Sequence, residues 1–180
     1  MLAMPLASFV PGASASHITQ YAVQRDPSDI AVGDLDCDGD NDIVSASAMG
    51  HFITTLYNDG SGGFADRQDV FISNNNSQRA GFVDTANGVD VEVGDINGDG
   101  TNDIIYYQEN IRFVGETFVR PGNLTVLWGD CNGAVNTWSD TAITISNPYH
   151  ISMEVGDIND HGNDDIVLVS IDGTFSNQYI

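Results

Sequence analysis

The sequence predicts an all-β chain made of repeated four-stranded antiparallel units, and three observations carry that prediction. One acidic loop occurs three times, with its leading aspartates Asp34, Asp95 and Asp157 standing 61 and 62 positions apart. Each copy lies between short runs rich in Val and Ile that alternate like strands. Clusters of Gly, Asn and Asp punctuate the runs as turns.

The three copies align without gaps: SDIAVGDLDCDGDNDIVSAS from Ser28, VDVEVGDINGDGTNDIIYYQ from Val89, and ISMEVGDINDHGNDDIVLVS from Ile151. A short strand precedes each loop (Ile30 and Val32; Val91 and Val93; Met153 and Val155) and ends in Gly33, Gly94 or Gly156. A β-rich run follows each loop, so the loop joins two adjacent strands as a hairpin. In unit one, His51 to Tyr57 reads as a third strand, Asn58-Asp59-Gly60 as its turn, and Phe64 to Ile72 as a fourth strand. Unit two repeats the plan with Leu124 to Trp128 and Thr137 to Ile145, after a longer excursion around residues 108–122. Four antiparallel strands per repeat is the plan of a β-propeller blade.

The units span about residues 28–88, 89–150 and 151–180, the last being incomplete, within a repeat region of 17–180. His17 to Val23 reads as a fourth strand lacking its own first three, suited to completing the last blade. About three blades fall short of the roughly four to eight of a propeller. The expectation is a partial propeller: a piece of a longer one, or a chain that completes its ring by self-association. Residues 1–16 are apolar and small, with Ala13-Ser14-Ala15 resembling a cleavage site but no basic start. They read either as a signal remnant or as a strand of a preceding blade, and both fit an extracellular protein.

The charge is far from balanced. Acidic residues number 26 against 5 basic ones, lysine is absent, and the formal charge is −21. Nucleic acid and anionic membrane surfaces are excluded as partners, because both are bound by neutralising phosphates with Lys and Arg. No run is long and apolar enough for membrane insertion. Something must offset the self-repulsion, and bound cations are the first candidates.

The loop chemistry names the cation. Calcium takes about six to eight hard oxygen ligands at roughly 2.3–2.6 Å. Loop one places carboxylates at positions 1, 3, 5 and 9 (Asp34, Asp36, Asp38, Asp42), with Gly39 at the turn and the Asp40 carbonyl at position 7. Loop two offers Asp95, Asn97, Asp99 and Asp103, with Gly100 at the turn and the Thr101 carbonyl. Loop three offers Asp157, Asn159 and Asp165 around Gly162, but carries His161 at position 5, and imidazole suits transition metals better than calcium. Two full sites and a weak or empty third are expected. An EF-hand is excluded: position 8 is Asn41, Asn102 or Asp164 rather than apolar, position 12 is Ser45, Tyr106 or Leu168 rather than Glu, and strands flank the loop.

The pattern D-x-[DN]-x-[DH]-G-x-[ND]-D-[IV] after a strand ending in V-G resembles the FG-GAP/VCBS repeat of integrin α-subunit propellers and many secreted microbial proteins. The resemblance covers two units and about half of the third. It rests on the metal loop and the period. It implies calcium ligands at the ten loop-one and loop-two positions above, and at Asp157, Asn159, Asn163 (carbonyl) and Asp165 in loop three. It also implies that calcium stiffens the hairpins while an extracellular protein or glycan binds elsewhere on the propeller.

Other signals are weaker. A secreted context favours pairing Cys37 with Cys131, but one lies in a turn between inner strands and the other between outer strands of the next unit, and that radial separation weighs against a bridge. Trp128, Trp138, Tyr106, Tyr107 and Phe113 read as packing between blades rather than a sugar-stacking face. Glu92 and Glu154 hold equivalent inner-strand positions, lining a channel or pairing with Arg. Asn75 and Asn123 begin glycosylation sequons. The four histidines fall at unrelated repeat positions, with no nucleophile motif near them. The expected function is non-enzymatic: a calcium-binding extracellular module for adhesion, recognition or structural display. The alternative is the scaffold part of a secreted polysaccharide-active lyase or hydrolase.

Overall fold

A computed structural model describes residues 19–48, 51–72, 89–109, 112–114, 117–119, 122–133, 137–143 and 148–172. The described residues are all-β and contain no helix, so none crosses a membrane as one. Twelve strands form: β1 (Pro27–Gly33), β2 (Asp42–Ser47), β3 (Phe52–Tyr57), β4 (Asp66–Phe71), β5 (Val89–Gly94), β6 (Asp103–Glu109), β7 (Arg112–Val114), β8 (Thr117–Val119), β9 (Gly122–Trp128), β10 (Thr137–Ile143), β11 (Pro148–Gly156) and β12 (Asp165–Asp172).

Sheet one is the antiparallel meander β1-β2-β3-β4. Sheet two repeats it as β5-β6-β9-β10, and the excursion between β6 and β9 forms its own hairpin, β7-β8. Sheet three, as described, is the pair β11-β12. The loop-flanking pairs keep one register: Gly33 faces Asp42, Gly94 faces Asp103, and Gly156 faces Asp165. Three copies of one sequence pattern thus close three copies of one hairpin.

The first strands β1, β5 and β11 stand side by side, and each sheet packs on the next. Alternation along the strands decides which residues meet. Val44 and Ala46 of β2 are buried together with Val91, Ile104 and Tyr106 of sheet two, and Val93 packs on that cluster. One repeat later, Ile105 and Tyr107 are buried with Met153, and Val155 packs there. Ile30 and Val32 hold the positions equivalent to Val91 and Val93, yet they are 65% and 57% exposed. The first strand's apolar side is therefore the side that meets the preceding sheet.

The glycine ending β1 is required by this approach. A Cβ on Gly33 would stand 2.4 Å from Val93 Cγ1, and one on Gly94 would stand 2.5 Å from Val155 Cγ1, both inside contact distance. Main-chain bonds add to the packing. Asp29 Oδ2 accepts the Val91 amide at 2.8 Å, and Asp90 Oδ2, at the same repeat position, accepts the Met153 amide at 2.6 Å.

One expectation needs correction, and one sequence feature finds its place. Residues 19–23 form no strand and lie beside β4: the Arg67 guanidinium donates to the Ala22 carbonyl at 2.7 Å, and the Tyr21 ring packs edge-on to Phe64 at 5.1 Å. Side chains rather than a backbone ladder hold this segment, so its place ahead of the first repeat did not make residues 19–23 a strand. The sequon at Asn123 lies inside β9, between β6 and β10, with Thr125 buried, and is not a surface loop. Asn75, Phe113's side chain and Trp138's side chain lie outside the described residues.

Candidate metal centre

Each acidic loop is shaped by the same two bonds. The position-1 carboxylate accepts the amide of the position-6 glycine: Asp34 from Gly39 at 3.1 Å, Asp95 from Gly100 at 2.8 Å, and Asp157 from Gly162 at 2.8 Å. Those glycines have φ of 95°, 87° and 90°, a left-handed turn that a side chain would strain. The position-9 carboxylate accepts the position-2 amide: Asp42 from Leu35 at 2.9 Å, Asp103 from Ile96 at 3.1 Å, and Asp165 from Ile158 at 3.2 Å. Because position 9 also opens the next strand, the loop is fixed at both ends to its hairpin.

Loop one gathers its oxygens. Asp34, Asp36 and Asp42 each place a carboxylate oxygen within 4.8 Å of the others. Oxygens on opposite sides of one calcium ion lie about 5 Å apart, so the spacing fits. Asp42 is fully buried, and its Oδ1 accepts the Asn58 amide at 2.9 Å, which fixes its direction. Asp34 Oδ1 is buried and has no hydrogen-bond partner among the described residues. An unpartnered buried carboxylate oxygen is costly unless a cation meets it. Burial first, then the charges of Asp42, Asp38 and Asp34, push the Asp36 carboxyl above its usual range against the opposing Asp38 amide bond. A divalent cation relieves that repulsion, and the residues present fit one. Asp38 is not drawn into the trio; its Oδ1 accepts the Asp40 amide at 2.9 Å.

Loop two has the same outline, with Asn97 in place of Asp36 and further amides of its own loop on the leading aspartate. Asp95 Oδ1 accepts the amides of Gly98 at 2.7 Å and Asp99 at 3.1 Å. Asp99 Oδ1 accepts the Thr101 amide at 2.9 Å, and its Oδ2 accepts the Asn97 side-chain amide at 2.9 Å. Asp103 is buried, its Oδ1 taking the Gly129 amide at 2.9 Å. Burial, opposed by the Gly129 and Ile96 amides, leaves its carboxyl above the usual range, with the Asp99 and Asp95 charges adding to the rise.

Loop three is exposed around His161, which contributes its main-chain amide to Asp157 and Asn159, each at 3.1 Å. Asn159 donates to Asp165 at 2.8 Å. Asp157 is held below its usual range, first by the Gly162 amide. Asn163 sits against loop two, where a Cβ on Gly98 would stand 2.1 Å from its Oδ1.

The cysteines overturn the expected separation. Cys37, at position 4 of loop one, is bridged to Cys131 in the β9–β10 turn, with Cα atoms 5.0 Å apart. The β9–β10 turn of sheet two leans over the β1–β2 loop of sheet one, and the Tyr57 hydroxyl also donates to the Gly133 carbonyl. Radial position within each sheet therefore does not separate them. A disulfide is compatible with an extracellular protein.

Sequence reasoning missed the residues that join one loop to the next. Position 8 entered the sequence reading only as part of the repeat pattern and to exclude an EF-hand. In the fold, Asn102 Nδ2 donates to the Asp34 carbonyl at 2.9 Å, while Asp164 accepts the Asp95 amide at 2.9 Å and returns its own amide to the Asp95 carbonyl at 2.8 Å. The signal was the polar residue at that position in all three copies. The shared aspartate at 29 and 90 was a second such signal.

No family model, curated protein or solved structure matches the chain. The class defined by fold and site is an all-β repeat chain of stacked antiparallel sheets with, among the described residues, one acidic trio able to hold a metal ion.

Proposed function

We propose that the chain is a calcium-stabilised stretch of β-propeller blades of the FG-GAP/VCBS kind, serving extracellular recognition, adhesion or display. The observation that carries this reading is the trio of Asp34, Asp36 and Asp42 with its buried, unpartnered Asp34 oxygen, in a loop that recurs at the same place in three successive sheets. Calcium is favoured by the all-oxygen donor set and by the loop's close wrapping. The side-by-side first strands support the blade arrangement. In this reading loop two takes a second ion once its carboxylates leave their amides, loop three is the weakest site, and a protein or glycan docks on surfaces away from the loops.

Thermal unfolding with calcium and with EDTA tests the reading. A ligand that binds only the folded state at about a hundred times its dissociation constant stabilises by about 2.7 kcal/mol. The expected result is a melting temperature several degrees higher in calcium. Equal melting temperatures would overturn the structural-calcium role. Calcium-dependent cleavage of an anionic polysaccharide by the purified chain would instead favour the enzyme-scaffold reading.

A further inference from the structure

We infer that the loop-one cation site belongs to two sheets: Asn102 and Cys131 of sheet two are its positioning residues, so cation affinity and the docking of sheet two on sheet one are reciprocally linked. This rests on the calcium reading above and adds residues that offer no oxygen to the ion.

Asp34 is the first residue of the trio, and its main-chain carbonyl is held by Asn102 Nδ2 at 2.9 Å. That bond fixes the backbone from which the unpartnered Oδ1 projects. Cys37 lies between Asp36 and Asp38, and its bridge to Cys131 ties the middle of the loop to the β9–β10 turn. Sheet two thus grips loop one at its first residue and at its fourth. The next joint makes the contrast. Loop two is gripped at Asp95 by Asp164, but none of its residues is a cysteine. Loop one, held twice, gathers three carboxylates while Asp34, Asp36 and Asp38 still accept amides of their own loop; loop two carries Asn97 at the place of Asp36, so its set there is two carboxylates and an amide.

Neighbours that orient metal ligands without touching the metal typically change affinity by roughly ten- to a hundredfold when removed. Coupling between two equilibria is reciprocal. If sheet two improves the cation site, the cation must strengthen the hold of sheet two.

Calorimetric titration of the oxidised full chain with calcium chloride tests this. The transition lost in Asp34→Asn defines loop one. In Asn102→Ala and in the double variant Cys37→Ser/Cys131→Ser, that transition is expected to weaken about tenfold or more. Melting temperatures in EDTA and in calcium separate positioning from bulk stability: the gain conferred by calcium should shrink. A loop-one affinity within twofold of the unsubstituted chain, or equal melting losses in both buffers, overturns the inference and leaves the calcium reading standing. Absence of any transition sensitive to Asp34→Asn overturns the calcium reading itself. Should either variant lose its β-sheet circular dichroism, the unsubstituted chain supplies the reciprocal measurement. Calcium is expected to slow reduction of the Cys37–Cys131 bridge by dithiothreitol severalfold, and equal rates with and without calcium overturn the linkage.

Discussion

Tyr106 is 1% exposed and packs in the core between sheets one and two, yet its hydroxyl has no hydrogen-bond partner. Burial pushes its phenol well above the usual range. A buried unsatisfied hydroxyl costs roughly 1–3 kcal/mol, and removing it while keeping the ring removes that cost. Tyr106→Phe should raise stability by about 1 kcal/mol, read as a higher midpoint in urea with an unchanged slope. The acidic trio of loop one was legible as single residues, because carboxylates crowded at positions 1, 3 and 9 of so tight a turn repel one another unless a cation sits among them; Asp38, expected beside them, instead accepts the Asp40 amide. The gripping residues were not legible, because Asn102 and Asp164 act on partners 68 and 69 positions away. Such contacts are set by how one sheet leans on another.

At the scale of elements, strands were legible wherever alternation and turn residues agreed. The third and fourth strands of units one and two lie within a few residues of their expected places. Residues 19–23 had the repeat position of a fourth strand without a ladder to join, and the β7-β8 hairpin was too short to register as anything but an excursion. The V-G endings of β1 and β5 have a physical reason in crowding between sheets, since a Cβ on Gly33 or Gly94 would strike the valine of the next first strand. Gly33→Ala drives a methyl toward Val93 Cγ1, 2.4 Å from the new carbon. The expected cost is about 1–3 kcal/mol, typical of overpacking. Denaturant unfolding measures it, and the smaller residue in Gly33→Ala/Val93→Ala should recover part of the loss.

For the whole molecule the dominant force to be managed is its own charge. Glu92 lies on β5 and Glu154 at the equivalent place on β11. Burial first, then the charges of Glu154, Asp90 and Asp29, push the Glu92 carboxyl from 4.5 up to about 7. Asp90 rises from 3.8 to about 6, through burial and then the hydrogen bond it shares with Asp29. Between about 4 and 7 the folded chain therefore binds more protons than the unfolded one, and these groups make stability fall as pH rises through that window. Their stabilising contribution is complete below the unfolded pKa and gone above the folded one. In EDTA, which keeps cation release from adding its own pH dependence, the melting temperature should decline from pH 5 to pH 7.5. Glu92→Gln should flatten the decline and add about 1 kcal/mol at pH 7.5, a figure reduced for solvent screening at this half-exposed site.

The apolar side of each first strand, exposed at Ile30 and Val32 but covered at Val91 and Met153, makes the stack directional. Every unit carries a socket on one side and the matching plug on the other, and the two are different surfaces. Units can therefore be joined only in one order. A unit duplicated or deleted in frame keeps apolar face against apolar face, although only the junction of sheets one and two carries the Cys37–Cys131 bridge. Nearest-neighbour construction of this kind lets a gene lengthen or shorten its product by whole modules without inventing a new contact.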